Sequence, residues 1–356
     1  MDNIKNRRKF LKEALGTAAG VSTLSLLSAC SSFDAYLFED RYEFKDEVMI
    51  VGGGISGLYL AHKLRTIKTE FRLFEGSNSF GGRINSYGSA DYGASLLSVN
   101  DKKVRLLIQE LSLQTKTLDK DYYYLPDGMQ SLTDALVERI VGLIPYRNFR
   151  LRWRLIGIKK LRAGFELAFE SPSGQKKFNC RKLALAVPPT QWGSVAGLLE
   201  LPEMSWAKAW LETLSVENTI KLILPGSASP GLTKPRIELI SEDISIRQIV
   251  KKTKVTGTLE IDVSYLQNDY KTIESVYSVI KKKLQLEYPF EKLSPEQYFD
   301  WRQVKLIRGS KFKNFMAVPD STNVNFQIVG DFTPSTALYT IEGAMQSATK
   351  ASELLL

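Results

Sequence analysis

The chain has 356 residues, of which 44% are hydrophobic and 24% charged, and its formal net charge is +9. A chain of this size and composition can bury a large core in two structural lobes, which excludes a disordered protein or a membrane bundle. Its single histidine, His62, nearly excludes Ser-His-Asp or Cys-His catalysis and excludes metal sites built from several histidines. Difficult chemistry must therefore come from a cofactor.

The first thirty residues are predicted to be a signal segment. Arg7 and Arg8 precede a weakly apolar stretch, 14–29, that ends at Cys30. The paired arginines resemble a twin-arginine export signal, and residues 27–30 resemble a bacterial lipobox, whose cysteine is acylated after cleavage. The stretch is too short and polar to cross about 30 Å of hydrocarbon. We therefore expect twin-arginine export, removal of residues 1–29 and a lipid on Cys30 that anchors the protein to a membrane, facing the periplasm or the cell surface; the alternative is an amphipathic N-terminal helix.

Other charged and sulfur-containing residues predict no further partner. The lysine runs at 251–252 and 281–283 are typical of solvated faces, with an anionic bilayer or anionic ligand as the alternative, and we expect no nucleic acid. With Cys30 bound to lipid, Cys180 has no second cysteine, so no intrachain disulfide is expected.

A glycine-rich turn follows the first predicted strand of the fold. Residues 47–51 are apolar and β-branched, as in a buried parallel strand, and they lead directly into Gly52 to Gly57 and a helical pattern. Gly52 permits a tight turn, Gly54 lets the backbone approach a pyrophosphate, and Gly57 lets the helix pack closely on the strand. The phosphates would then meet unpaired N–H groups at the helix N-terminus.

The next predicted strand, 71–74, ends in Glu75, 18 residues beyond Gly57. A carboxylate at this place accepts hydrogen bonds from both ribose hydroxyls and repels a 2′-phosphate. The residues therefore predict FAD or NAD rather than NADP, and the alternative is an unliganded sheet in which the glycines only serve turns.

Further motifs resemble the flavin amine oxidase superfamily. They are Gly81-Gly82-Arg83, Asp91 to Ala94, Asp127 to Leu132, Ala186 to Pro189, Ile328 to Asp331 and Thr340 to Met345. In that family the double glycine and arginine lie along the pyrophosphate, the Gly-acid pair binds the ribityl and phosphate region, and a helix N-terminus near Glu-Gly-Ala faces the flavin ring. The resemblance implies FAD, and it implies noncovalent FAD because no cysteine lies between Gly309 and Pro319, where covalently flavinylated relatives carry one.

Residue by residue, the motifs predict a set of FAD contacts, in which Leu155 resembles the strand position that contacts adenine. The set comprises Gly52, Gly53, Gly54, Ser56, Gly57, Glu75, Gly81, Gly82, Arg83, Leu155, Gly330, Asp331, Ile341 and Gly343.

The resemblance also implies an α/β fold. Its FAD-binding Rossmann-like domain, with a doubly wound parallel sheet, is expected to be assembled from the discontinuous segments 45–98, 125–197 and 318–356. A smaller α+β substrate domain would be formed by 99–124 and 198–317. Between Ala94 and Gly128 the chain is much shorter than in typical amine oxidases, so this domain is contracted.

Two residues are catalytic candidates through the same resemblance. The segment 219–224 resembles the strand whose lysine, in many members, holds a water against flavin N5, which points to Lys221; the alternative is an ordinary exposed lysine. Trp301, before Gly309-Ser310, resembles a tryptophan that borders the flavin cavity, with a core tryptophan as the alternative.

Some positions depart from the family pattern. Ser79 stands where an arginine is often found, and Thr340 stands where an aromatic residue forms one wall of a cage that aligns the amine, with Tyr339 one position early. We expect hydride transfer from a small organic substrate, an amine or related electron-rich compound, to flavin N5, with oxygen or another electron acceptor reoxidising the flavin. The alternatives are renalase-like or desaturase-like oxidation of a dihydropyridine or conjugated ring, and a non-catalytic or electron-relay FAD-binding lipoprotein.

Overall fold

The structure is a computed structural model that describes residues 48–87, 90–142, 148–213, 216–225, 236–239, 244–251, 258–265, 297–300, 306–307, 317–319 and 323–356. For the strands between 216 and 307 the description is that of the backbone and of the Glu260 side chain. Arg7, Arg8, Cys30 and Trp301 lie outside the described residues, so the predictions made for them stay predictions.

The described elements alternate between strands and helices in the first half and are mostly strands in the second. The strands are β1 (Val48–Val51), β2 (Phe71–Glu75), β3 (Ser86–Tyr87), β4 (Ala90–Asp91), β5 (Leu97–Ser98), β6 (Lys116–Thr117), β7 (Tyr122–Tyr124), β8 (Phe149–Leu151), β9 (Arg154–Leu161), β10 (Gly164–Ser171), β11 (Gly174–Cys180), β12 (Lys182–Leu185), β13 (Val216–Pro225), β14 (Arg236–Leu239), β15 (Ile244–Lys251), β16 (Thr258–Tyr265), β17 (Gln297–Asp300), β18 (Leu306–Ile307) and β19 (Phe326–Ile328). The α-helices are α1 (Ile55–Thr66), α2 (Lys102–Glu110), α3 (Gln130–Val141), α4 (Ala207–Glu212) and α5 (Ile341–Leu354), and 3₁₀ helices cover Pro189–Ser194 and Pro202–Met204.

A five-stranded sheet in the order β19-β12-β1-β2-β8 forms the centre of the molecule. Every neighbouring pair in it is parallel. Parallel strands need crossover connections, so strands that pair side by side come from distant parts of the chain. The sheet accordingly draws its strands from the beginning, the middle and the end of the described chain, and the α/β fold expected from the sequence is confirmed. The domain boundaries stay a prediction.

Both faces of this sheet are covered, which explains its uninterrupted apolar strands. Side chains alternate along β1: Val48 and Ile50 belong to a core shared with the helices, and Met49 and Val51 belong to a core on the opposite face. Helix α1 packs against α3 and α5 in the first core. The antiparallel sheet β11-β10-β9 covers the second, where the rings of Phe74 and Phe169 stack at a centroid distance of 4.3 Å.

The second large sheet is antiparallel and has the order β14-β15-β16-β13-β17, with β18 also pairing with β13. It coincides with the segment assigned to the substrate domain. Lys221 occupies the middle of β13, where its backbone pairs with Asp262 of β16 and with Phe299 of β17. The strands of two small sheets, β3-β4 and β5-β7-β6, lie between β2 and α3 in the sequence.

None of the helices in the described part of the chain is long and apolar enough to span a bilayer.

Candidate functional site

Two glycines of the turn after β1 are required by the protein itself. Gly52 has a φ of +111°, and a Cβ on it would lie 2.4 Å from the carbonyl oxygen of Ala186 at the end of β12. A Cβ on Gly57 would lie 1.9 Å from the carbonyl oxygen of Gly52. These contacts hold the first turn of α1 directly against the end of the parallel sheet, as the sequence predicted for a dinucleotide turn.

Gly54 differs from its neighbours, because nothing in the described protein crowds it. Its φ of −71° and ψ of 179° suit any residue, and the nearest atom to a Cβ would be the carbonyl oxygen of Gly81 at 4.0 Å. Gly54 is the N-cap of α1, no side chain caps it, and the first turn carries no acidic residue. Unneutralised helix N–H groups beside an open glycine are the surroundings that a pyrophosphate needs.

Glu75 is held at the end of β2 by two backbone donors. The Gly53 N–H donates to its Oε2 over 2.6 Å, and the Ser77 N–H donates to its Oε1 over 2.7 Å. Each carboxylate oxygen keeps a further lone pair, so the fixed side chain can still accept from ribose hydroxyls. A Cβ on Gly53 would lie 2.5 Å from the Phe80 ring, so contacts within the protein account for this glycine.

The segment Gly81 to Arg83 crosses the glycine turn. The Gly81 N–H donates to the Gly53 carbonyl over 2.9 Å, and a Cβ on Gly82 would lie 3.2 Å from the Gly54 Cα. Gly81 and Gly82 have φ values of +117° and +60°, which L-amino acids with side chains rarely adopt. This close approach places Arg83 in the segment that lies against the glycine turn.

Arg83 and Asp331 join the beginning of the domain to its end. The guanidinium donates to Asp331 Oδ1 over 2.6 Å between residues 248 positions apart, and the two side chains are 36% and 8% exposed. Burial lowers the pKa of Arg83, but the negative charge of Asp331 and the hydrogen bond to it outweigh burial, so the pKa is raised above its ordinary value. Arg83 therefore stays cationic and partly accessible at the site, where it can face a diphosphate.

The predicted residues at the C-terminal end are shaped by packing around α5. The Gly330 N–H donates to Ser347 Oγ over 3.1 Å, and a Cβ on Gly330 would lie 2.2 Å from the Phe332 ring. A Cβ on Gly343 would lie 2.1 Å from the Ala337 carbonyl oxygen. Ile341 is the first residue of α5 and packs against the helix-side core. Packing within the protein therefore accounts for both glycines without any ligand.

The remaining predicted contacts lie at different distances from this turn. Ser56 is buried in the first turn of α1. Leu155 is buried in the core against the antiparallel sheet, two residues after Trp153, whose N–H donates to the Glu75 carbonyl over 2.8 Å. The structure therefore brings the start of β9 to Glu75, as an adenine-contacting position requires, and the contact itself stays a prediction.

Sequence reasoning named Asp91 only as part of a motif and missed what its carboxylate does. Asp91 is fully buried, and its Oδ1 accepts hydrogen bonds from the Met129 N–H over 2.7 Å and from the Ser86 hydroxyl. It therefore caps the N-terminus of α3, which has no side-chain cap of its own. The Ala94 N–H donates to the Arg83 carbonyl over 3.1 Å, so the same segment holds the arginine in place.

The contact made by Glu342, which was named only as part of the motif from Thr340 to Met345, was also missed. This buried carboxylate on α5 accepts hydrogen bonds from the Lys103 and Val104 N–H groups over 2.8 and 3.1 Å, and so it caps α2. Its partners are more than two hundred residues away, and no local pattern signals such a contact. As for metals, the described side chains include no group of three or more His, Cys, Asp and Glu residues placed to hold one.

The described residues fit FAD. The open Gly54 at the N-terminus of α1 leaves room that a Cβ would fill, Glu75 suits an unphosphorylated ribose, and the cationic Arg83 lies beside the turn. The Arg83–Asp331 pair adds a residue from the C-terminal part of the chain to this site.

Comparison with known proteins agrees with this geometry. Residues 50–111 match a family model described as an NAD(P)-binding Rossmann-like domain. The mitochondrial protoporphyrinogen oxidase of Nicotiana tabacum is 30% identical over 82 residues, which cover 22% of this chain and only 16% of that protein.

Among solved structures, putrescine oxidase bound to putrescine matches with a TM-score of 0.65 and 14% identity over 88% of this chain and 99% of that one. The chain has the fold of the amine oxidases. Cyclohexylamine oxidase from Brevibacterium oxydans IH-35A matches with a TM-score of 0.65 and 13% identity over 87% of this chain and 99% of that one. At such identities the likeness establishes the fold of the chain and leaves its substrate open.

Proposed function

We propose that the protein is an FAD-dependent oxidoreductase that takes a hydride from a small organic molecule. The observation that carries the proposal is Gly54, a glycine that no described protein atom requires, at the uncapped N-terminus of α1. Its absent side chain is explained by a ligand that must come close to the backbone. The fold shared with the amine oxidases supports a flavin as that ligand.

The residues of the chain have separate tasks in this proposal. Glu75 accepts hydrogen bonds from the ribose hydroxyls. The diphosphate is bound by the N–H groups at the start of α1 and by the Arg83 guanidinium, which Asp331 holds in place. When bound, FAD supplies a ring that accepts a hydride at N5, with oxygen or another acceptor taking the electrons afterwards. Noncovalent attachment predicts that acid or heat releases free flavin.

Lys221 is proposed to hold a water at the reaction site. Its position in the middle of β13, between β16 and β17, is the part of the second sheet most constrained by pairing on both sides. An electron-rich C–H beside a nitrogen donates hydride without a strong general base, which is compatible with a chain whose single histidine lies in α1.

A second substrate class is favoured by the start of α5. Thr340, at the place of the aromatic cage residue, accepts from the Gly343 N–H over 3.0 Å and donates to the Ala337 carbonyl over 2.7 Å, so it serves as a helix cap. Without an aromatic wall at this position, a dihydropyridine or another conjugated ring is the alternative to an amine.

The decisive experiment is an anaerobic screen. The purified protein would be heated and the released flavin identified by chromatography, and amines, reduced nicotinamides and conjugated ring compounds would then be mixed with the holoprotein while flavin absorbance is recorded. Bleaching by one class identifies the substrate, and no bleaching by any class would favour a non-catalytic or electron-relay protein. A Lys221→Met variant with normal flavin content and normal turnover would remove Lys221 from the mechanism.

Export and anchoring belong to the same proposal. The twin-arginine route moves folded proteins, which suits a protein that acquires FAD before export. Changing Arg7 and Arg8 to lysine should stop export, and changing Cys30 to serine should release the protein from the membrane fraction. Normal export of the double lysine variant would contradict the assignment.

A further inference from the structure

Glu260 connects the second sheet to the dinucleotide domain. It lies on β16 with no exposed surface, and its Oε1 accepts a hydrogen bond from the Asp91 N–H over 2.9 Å, across 169 residues of sequence. A buried carboxylate is expensive to desolvate and is kept only where donors are fixed around it. The residue therefore marks a defined contact between the two parts of the molecule.

The contact leads directly to the cofactor site. Asp91 is itself fixed at the N-terminus of α3 by the Met129 N–H. Two residues later, a Cβ on Gly93 would lie 1.8 Å from the Arg83 carbonyl oxygen, and the Ala94 N–H donates to that same oxygen. Arg83 in turn binds Asp331. A short path of hydrogen bonds and close backbone contacts thus runs from β16 to the charged pair at the proposed diphosphate site.

The strand register places Lys221 on the face that carries Glu260. Lys221 pairs with Asp262, which is two residues after Glu260 on the same strand, and the register between β13 and β16 is continuous from Asn218 to Pro225. Directly paired residues share a face of a sheet, and so do residues two apart along a strand. Because Glu260 contacts Asp91 from this face, it is the face of the second sheet that adjoins the dinucleotide domain.

We propose that Glu260 is a positioning residue. It holds the second sheet, which carries Lys221, against the segment that keeps Arg83 in place. The proposal rests on the proposed function for the meaning of Lys221 and Arg83. Its physical content is that the buried contact between the Glu260 carboxylate and the Asp91 N–H fixes the height and tilt of the second sheet relative to the dinucleotide domain. A displacement of about 1 Å in a reaction site can cost on the order of 100-fold in rate.

Three variants separate the acceptor from other features of the side chain. Glu260→Gln keeps an oxygen that can accept from the Asp91 N–H, Glu260→Asp keeps the charge but withdraws it by one methylene, and Glu260→Leu removes the acceptor. Glu170→Leu, an exposed glutamate on β10, is the matched control for losing a glutamate elsewhere. If the leucine variant does not fold, the aspartate variant carries the test.

The test measures hydrogen exchange in residues 216–225 and 258–265 and the quenching of flavin fluorescence by iodide in the holoprotein. We expect Glu260→Asp and Glu260→Leu to exchange at least about 10-fold faster in these strands and to admit iodide more readily, with wild-type behaviour for Glu260→Gln and Glu170→Leu. Wild-type exchange and quenching in the aspartate and leucine variants would overturn the proposal, as would a glutamine variant that behaves like leucine. A residue that only adds stability would lower the melting temperature and leave iodide quenching unchanged.

Failure of the proposed function has a different signature. If the wild-type protein binds no flavin, the proposed function fails, whereas hydrogen exchange in the same strands still reports the Glu260 contact. Once a substrate has been identified, the aspartate variant should reduce its flavin on the order of 100-fold more slowly at unchanged flavin affinity.

Discussion

Gly54 and Gly57 lie three residues apart in one turn, yet the structure assigns them to different constraints. Gly57 faces the Gly52 carbonyl oxygen, which a Cβ would approach to 1.9 Å, while Gly54 faces open space to 4.0 Å. Gly54 also has backbone angles that alanine adopts without strain. Packing within the protein therefore requires Gly57, whereas the proposed cofactor site is what accounts for Gly54.

Alanine substitution at these two positions should give opposite results. Gly54→Ala should leave the melting temperature of the apoprotein unchanged or slightly higher, because alanine restricts the unfolded chain, and should weaken FAD binding strongly. Gly57→Ala should destabilise the apoprotein itself, since overpacking typically costs about 1–3 kcal/mol. Thermal unfolding without flavin and a flavin titration measure the two effects. Normal FAD affinity in Gly54→Ala would show that the phosphates lie elsewhere.

His62 allows a prediction about pH. It is 6% exposed on α1, with Nε2 3.3 Å from Glu110 Oε1. Burial lowers the pKa of His62 although the charge of Glu110 acts in the opposite direction. Because the unfolded histidine has a pKa of about 6.5, the folded state binds fewer protons below that value. The contribution of neutral His62 to the free energy of unfolding is therefore fully present above about pH 6.5. It is lost as the pH falls below about 6.5 toward the pKa of the folded state.

His62→Gln should accordingly lose less stability than the wild type between pH 7.5 and 5.5, measured by thermal unfolding at both values. Glu110→Gln should change the pH dependence in the opposite direction, because it removes the charge that favours protonated His62. Its stability should fall more steeply over the same interval. Equal pH dependence in all three proteins would mean that His62 is as easily protonated in the folded chain as in the unfolded one.

At the scale of residues, the sequence predicted a role for each glycine of the turn but not the atoms that each one contacts. A Cβ on Gly52 would meet the carbonyl oxygen of Ala186, whereas the nearest atom to a Cβ on Gly54 would be the carbonyl oxygen of Gly81 at 4.0 Å. Such contacts arise between strands that are paired only in three dimensions. The hydrogen bond between Asp91 and Glu260 could not be predicted from the sequence for the same reason. The two residues are 169 positions apart, and no local pattern indicates that they meet.

At the scale of elements, side chains from the start of α5 cap the N-termini of two helices. Thr340 caps α5 by accepting from the Gly343 N–H, and Glu342 in the first turn of α5 caps α2. The carboxylate near the N-terminus of α5 also complements that helix dipole. The departure from the family pattern at Thr340 therefore has a structural benefit, which the sequence comparison alone presented as a loss.

Thr340→Ala should destabilise the protein by about 1 kcal/mol, because the Gly343 N–H loses its acceptor. Thr340→Ser keeps the hydroxyl and should cost much less. Thr340→Tyr, which restores an aromatic residue at the family position, should lose the cap and gain no turnover of amines. Denaturant unfolding and the anaerobic screen measure these outcomes, and amine turnover gained by the tyrosine variant would show that the missing aromatic wall is the only barrier.

The elements themselves were predicted with uneven success. Strands β1 and β2 were found at the expected places because a buried parallel strand is a continuous apolar run bounded by glycine or acid. Strand β13 extends from Val216 to Pro225, beyond the expected 219–224, because its ends are set by pairing with β16 and β18 rather than by local residues. The parallel sheet assembled from discontinuous segments was expected from the family resemblance, and its strand order was not predicted.

At the scale of the whole molecule, the dinucleotide site is assembled from both ends of the described chain. Strand β1 pairs with β12, which pairs with β19, and Arg83 joins Asp331 across 248 residues. A ligand that spans Gly54, Arg83 and Asp331 binds only the folded arrangement. Its binding energy is therefore added to the stability of the entire sheet.

This coupling predicts that FAD raises the melting temperature of the apoprotein in proportion to the logarithm of its concentration. At a free concentration of 100 times the dissociation constant, one site contributes about 2.7 kcal/mol. FMN, which lacks the adenosine half, cannot engage Glu75 and should stabilise less. NADP should stabilise least, because its 2′-phosphate would meet the Glu75 carboxylate, whose position is fixed by Gly53 and Ser77.

Glu75→Gln supplies the control for this series, since it removes the negative charge that opposes the 2′-phosphate and keeps one of the two oxygens that accept from Gly53 and Ser77. The stabilisation by FAD should shrink, because a neutral amide is a weaker acceptor for ribose hydroxyls, while any stabilisation by NADP should grow. A wild-type protein stabilised equally by FAD, FMN and NADP would contradict a site in which Glu75 selects the ribose. Stabilisation that occurs only with FAD and is abolished by Gly54→Ala would show that FAD contacts the turn at Gly54 as well as Glu75.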